Sequence, residues 1–179
     1  MKGIVFTEFL EMVEDKFGFE IADIIVSESK LESGGVYTAV GTYHHSEMVQ
    51  LVTNLSQQSK VQVPELLKTF GRHLFGQFVK GYGRFFTETQ NSFEFLSGIE
   101  NYIHVEVRKL YPDAELPKFE VGPIEPDHME LIYKSERGMA DFAEGLIEGC
   151  ISHFGEDISI RRESINGSQE VKFLLDRKL

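Results

Sequence analysis

Apolar residues recur every four positions at Val5, Phe9, Val13 and Phe17, and Gly18 follows where a helix would close, so the spacing predicts a first helix over 4–17. A shorter helix is expected over about 20–29, followed by a Gly34-Gly35 break and a polar loop at Tyr43-His44-His45. Ser46 then reads as the N-cap of a helix running through Leu51 and Leu55 to about Gln58. Pro64 suits a first helical position, and Leu66, Phe70, Leu74 and Phe78 carry the next stripe to Gly81. Another helical stretch opens near Ser92, runs through Ile99, Ile103, Val107 and Leu110, and stops at Pro112; His104 lies inside it.

Beyond this point the period changes. From about Met129, Leu131, Tyr133 and Ser135 alternate with Ile132, Lys134 and Glu136, as in a strand. A helix with Phe142, Leu146 and Cys150 at four-residue spacing extends to about Phe154 and is closed by Gly155. Two last strands, over about 157–163 and 170–175, flank Asn166-Gly167, the strongest short hairpin signal in the chain. Helices first, then strands around one helix, predict an α+β fold. One domain over 1–179 is expected, with a helical lobe over about 1–60 and a second lobe over about 61–179.

Composition narrows the partners. The 179 residues carry 18 Lys plus Arg against 29 Asp plus Glu, and the net charge of -11 repels nucleic acid and anionic lipid surfaces. A lone cysteine, Cys150, excludes an intramolecular disulfide or a multi-cysteine zinc site and fits a reducing compartment. Glu8 and Glu11 interrupt any secretory signal, and no run approaches the roughly 18 apolar residues of a membrane span, so a cytoplasmic protein is expected. The 15 Phe and 6 Tyr can line a slot for a flat apolar ligand, although core packing is their commoner use.

The motifs HExxH, GxxxxGK[ST], GxSxG and CxxC are all missing. His44 and His45, adjacent on a loop, are expected to point apart and to be solvated rather than to share a metal. Two features remain. A period of two puts Tyr133, Ser135 and Arg137 on one strand face, where two hydroxyls and a guanidinium can hold a pair of carboxylates; a polar surface strand is the plainer reading. His104 borders the apolar line Ile99, Ile103, Val107 and Leu110, as a core histidine or as a ligand. Together they supply an axial ligand, a propionate anchor and an apolar slot, the requirements of an iron porphyrin.

On these residues the chain resembles the haem nitric oxide/oxygen-binding (H-NOX) domains, related to the haem domain of soluble guanylate cyclase. The resemblance runs from Met1-Lys2-Gly3 and the first helix through Gly71-Arg72 to His104, then Pro117, Tyr133-x-Ser135-x-Arg137 and Leu146-Ile147-Glu148-Gly149. It implies a bacterial, stand-alone domain holding haem b, ferrous iron protoporphyrin IX, between the two lobes. By the same resemblance His104 ligates the iron, Tyr133, Ser135 and Arg137 bind the propionates, and Pro117 presses on the porphyrin and bends it. Val5, Phe9, Leu74, Phe78, Phe142 and Leu146 are carried over as the distal residues, all apolar.

Oxygen-binding members similar to this chain place a tyrosine where it has Phe142, and a Trp and an Asn where it has Phe9 and Leu74. Bound oxygen needs a hydrogen bond of roughly 1.5 to 3 kcal/mol, and its loss weakens binding about 10 to 150-fold. The implied protein is a monomeric, non-catalytic sensor of nitric oxide, able to bind CO as well. Movement of the His104 helix would signal to a separate sensor histidine kinase or cyclic-di-GMP enzyme. The rival readings are a haem enzyme of peroxidase or oxygenase type and a haem or lipid carrier module.

Overall fold

A computed structural model describes residues 1–178. The chain divides into two units, Met1–Phe70 and Gly71–Leu179, with the boundary inside a helix.

The first unit is built from α1 (Gly3–Phe17), α2 (Phe19–Ser27), α3 (His45–Ser59) and the beginning of α4 (Val63–Gly81). The expected stripe of α1 is rotated. Phe6, Phe9, Met12 and Val13 are buried, whereas Val5 and Phe17 are only half-buried. The three-and-four spacing of Phe6, Phe9 and Val13 follows the true helical period better than a strict four. Phe9 meets Phe70 edge to face at 5.2 Å, and Met48, Leu51, Val52 and Leu55 of α3 complete the core.

The N-cap of α3 is His44, not Ser46: the His44 Nδ1 accepts from the Ser46 amide at 3.3 Å. Histidine here takes the capping role expected of serine because its ring nitrogen reaches the amide two residues on.

The second unit contains the rest of α4, then α5 (Arg84–Thr87), α6 (Ser92–Ser97), a π-helical turn (Ile99–Ile103) and α7 (His104–Leu110). The four-residue spacing from Ser92 to Leu110 therefore does not mark one continuous α-helix. The His104 amide donates to the Ile99 carbonyl five residues back, the signature of a π turn.

The sheet follows, antiparallel and ordered β1-β2-β4-β3: β1 (Lys118–Ile124), β2 (His128–Lys134), β3 (Ile158–Asn166) and β4 (Glu170–Arg177). Its buried face carries Phe119, Met129, Leu131, Tyr133, Val171, Phe173 and Leu175. Between β2 and β3 runs α8 (Ala140–Phe154), whose Ala143, Ile147 and Cys150 belong to the same apolar cluster. α4 passes so close to α8 at Gly71 that a Cβ there would collide with the Phe142 carbonyl oxygen and the Leu146 amide. The β3-β4 turn uses Gly167 to Gln169, with Asn166 still in the strand.

β1 and α5 are not foreseen by patterning. Gly122 and Pro123 interrupt β1, which is tolerated because it is an edge strand, and its register with β2 shifts between Val121 and Ile124. Among the described residues no helix is long and apolar enough to cross a membrane.

Candidate haem site

His104 begins α7 directly after the π turn and is only 8% exposed. Its Nδ1 lies 2.9 Å from Glu100 Oε1. An ionised carboxylate can only accept, so the proton of this bond sits on Nδ1 and the lone pair of the neutral ring on Nε2. Among the described residues Nε2 has no hydrogen-bond partner. Burial lowers the histidine pKa and outweighs the opposing pull of Glu100, which keeps the ring neutral. The same Glu100 oxygen accepts from the Phe119 amide of β1 at 2.8 Å. Sequence reasoning passed over Glu100; an acid four residues before a histidine on a helical stretch is the signal that marks it.

Tyr133 is buried on β2, its phenol pKa raised chiefly by that burial. Its hydroxyl accepts from the Met139 amide at 3.1 Å, just ahead of α8, and is hydrogen-bonded to Ser135. Phe119 connects the two candidates, with its ring 6.0 Å from His104 and 5.6 Å from Tyr133.

The period-two account of Ser135 and Arg137 needs correction. β2 ends at Lys134, and both residues sit in a turn where the Gly138 amide donates to the Ser135 carbonyl at 3.2 Å. Gly138 has φ of +61°, which breaks the extended backbone that alternation requires. The turn still gathers the donors: the Arg137 amide reaches Ser135 Oγ at 3.3 Å. The Arg137 guanidinium, its side chain 17% exposed, donates to the Glu115 carbonyl at 2.9 Å and to the Glu115 carboxylate at 2.5 Å. Glu115 is itself 82% exposed, so Arg137 already holds a carboxylate, and one on a solvent-facing side chain. Pro117, two residues on, is half-buried in the segment leading into β1.

Of the apolar residues carried over, Leu74 and Phe78 lie on α4 and Phe142 and Leu146 on α8, the two helices that meet at Gly71. Val5 and Phe9 lie on α1 in the first unit. His44 and His45 do not point apart. Their rings approach to 4.8 Å, because His44 caps α3 and His45 is its first residue, and His44 is bonded to Ser46 Oγ at 2.7 Å. Cys150 is buried and its thiol pKa is pushed far up by that burial. Among the described residues no group of three or more His, Cys, Asp or Glu could hold a metal ion.

A buried neutral imidazole with one nitrogen anchored and the other open has the chemistry to ligate a single metal position. A guanidinium holding a carboxylate suits an acid-bearing group beside it. The two fit an iron porphyrin, and the protein is of the haem-binding class.

The chain belongs to the Haem-NO-binding (H-NOX) family, which matches residues 2–162. It is 46% identical to the H-NOX protein of K. algicida, solved as Fe(II) unliganded, with a TM-score of 0.96 over 100% of this chain and 97% of that one. The S. oneidensis H-NOX protein, solved in the Fe(II)NO state, shares 25% identity and a TM-score of 0.90 over 100% of both chains. The Shewanella woodyi H-NOX, bound to IWP-051 in the Fe(II)CO state, shares 43% identity and a TM-score of 0.85 over 99% and 95%. Comparison with curated proteins gives no match.

Proposed function

We propose that this H-NOX domain is a non-catalytic sensor selective for nitric oxide, built on ferrous haem b. The observation that carries the reading is His104: buried, neutral, anchored at Nδ1 and open at Nε2. His104 would hold the iron, and the haem would supply the position at which a gas binds. Tyr133, Ser135 and Arg137 hold the propionates. Arg137 exchanges the exposed Glu115 carboxylate for one of theirs, so no bare guanidinium is left in either state. Pro117 bears on the ring with a side chain that cannot rotate away.

Selectivity rests on what is missing. Leu74, Phe78, Phe142 and Leu146 of the second unit offer no side-chain donor, and neither do Val5 and Phe9 of the first. Oxygen is denied its hydrogen bond, whereas NO and CO bind without one, and the solved relatives in NO and CO states support both ligands. A peroxidase or oxygenase also needs a distal acid or base, which these residues do not provide. The output is release of His104 and movement of α7, which directly follows the irregular π turn. By family resemblance the receiver is a separate sensor histidine kinase or cyclic-di-GMP enzyme.

Absorption spectra of the purified ferrous protein test this directly. The expected result is no oxygen complex in air and a clear shift of the Soret band with NO; a stable oxygen complex overturns the selectivity.

A further inference from the structure

The proposed function uses His104 but leaves unexplained why its anchor is a carboxylate, and why that carboxylate is shared with the sheet. Glu100 lies in the π turn, a quarter exposed, and Oε1 alone accepts two hydrogen bonds: His104 Nδ1 at 2.9 Å and the Phe119 amide at 2.8 Å. Phe119 belongs to β1 and packs its ring between His104 and Tyr133. One side chain therefore ties the candidate ligand, the irregular helix before it and the edge strand after Pro117 into a single junction.

We infer that Glu100 is a positioning residue for His104, fixing its tautomer and setting how firmly it holds the iron. The inference rests on the haem reading proposed above. An isolated neutral imidazole prefers its proton on Nε2, the nitrogen that must be bare to bind a metal. A charged acceptor at Nδ1 reverses that preference and raises the basicity of Nε2. The Phe119 bond keeps the carboxylate from turning with the histidine, so any shift of His104 along α7 stretches a bond anchored in the sheet. Glu100 thus sets the resistance against which the proposed release of His104 works. A purely structural strut would hold the turn to the strand equally well as a neutral amide; the charge is what the histidine needs.

The test compares wild type, Glu100→Gln and Glu100→Ala. Glutamine keeps an acceptor for the Phe119 amide but removes the charge, and so separates the two roles. In apoprotein, nitrogen NMR of the His104 ring is expected to show the Nδ1-protonated form in wild type and the Nε2-protonated form in Glu100→Ala. In ferrous haem-loaded protein, the iron–histidine stretching band in resonance Raman spectra should move to lower frequency in Glu100→Gln and further in Glu100→Ala. Haem transfer to apomyoglobin should quicken by about 10-fold in the alanine variant. An unchanged stretching band in both variants, or an Nε2-protonated His104 in wild-type apoprotein, overturns the inference and leaves the haem reading standing. Absence of any iron–histidine band in wild type overturns the haem reading itself, and the inference with it.

Discussion

Glu47 in the helices of the first unit and His104 in those of the second are both buried, and the two are treated in opposite ways. Glu47 of α3, 3% exposed, is closed from every side: Ser33 Oγ at 2.5 Å and the Tyr37 hydroxyl at 2.7 Å donate to Oε2, and the Ser33 amide at 3.3 Å to Oε1. Burial alone would raise its pKa, but these bonds and the nearby His44 hold the carboxyl below the usual range. Burial pushes the Tyr37 phenol well above its ordinary value, and its ring stacks on Phe6 at 4.5 Å. His104, also buried, is closed on one side only. The first cluster pins a loop and serves stability. The second leaves Nε2 of His104 without a hydrogen-bond partner among the described residues, as the proposed haem ligation requires.

The two clusters can be broken independently. The largest stability effect is expected from Glu47→Ala, which strands the Ser33 and Tyr37 donors. It should cost about 3 kcal/mol, lowering Tm by about 6 to 12 °C in thermal melts, while haem bound per folded molecule is unchanged. A change below about 1 kcal/mol would show that Glu47 is not the keystone of the first unit.

On the second unit, Phe142→Tyr places a hydroxyl on α8 and should raise oxygen affinity about 10 to 150-fold, measured by oxygen titration of the ferrous protein. No gain would place Phe142 away from the bound gas. Arg137→Ala should speed haem loss to apomyoglobin by about 10-fold and Ser135→Ala by less, since only Arg137 brings a full charge. Equal rates in both variants and wild type would refute the propionate clamp.

The smallest effect belongs to the exposed face of the sheet, where Glu120 lies between Lys118 and Lys134 and its carboxyl is held down at about 2. Because the folded value lies below the unfolded one, its contribution is present above about pH 4.5 and fades as pH falls toward 2. Glu120→Gln should lower the urea midpoint by a small, constant amount above about pH 4.5 and leave it unchanged near pH 2, flattening the pH dependence between the two. An unchanged midpoint above about pH 4.5 would contradict the assignment.

Long stripes were the legible part. Leu66 through Phe78 and Phe142 through Cys150 announce α4 and α8, because a helix packed along its whole length repeats its apolar face. β1 was illegible because an edge strand tolerates Gly122 and Pro123, residues that read as a loop. The break between α6 and α7 was hidden for another reason: a π turn keeps apolar residues near the four-residue spacing of a helix while changing the hydrogen bonds. His104, Tyr133, Ser135 and Arg137 could be picked out by residue type. The turn at Gly138 could not, since alternation in sequence does not say where a strand stops. Glu100 carried a readable offset from His104, but its bond to the Phe119 amide joins residues 19 apart and belongs to the fold.

In the proposed haem site the open nitrogen of His104 is the protein's hold on the iron. The most direct test is the absorption spectrum of ferrous His104→Gly beside wild type, each purified with and without imidazole in the medium. A Soret band is expected in wild type under both conditions and in the variant only when imidazole fills the space left by the side chain. A variant that keeps the wild-type spectrum without imidazole would contradict this ligation.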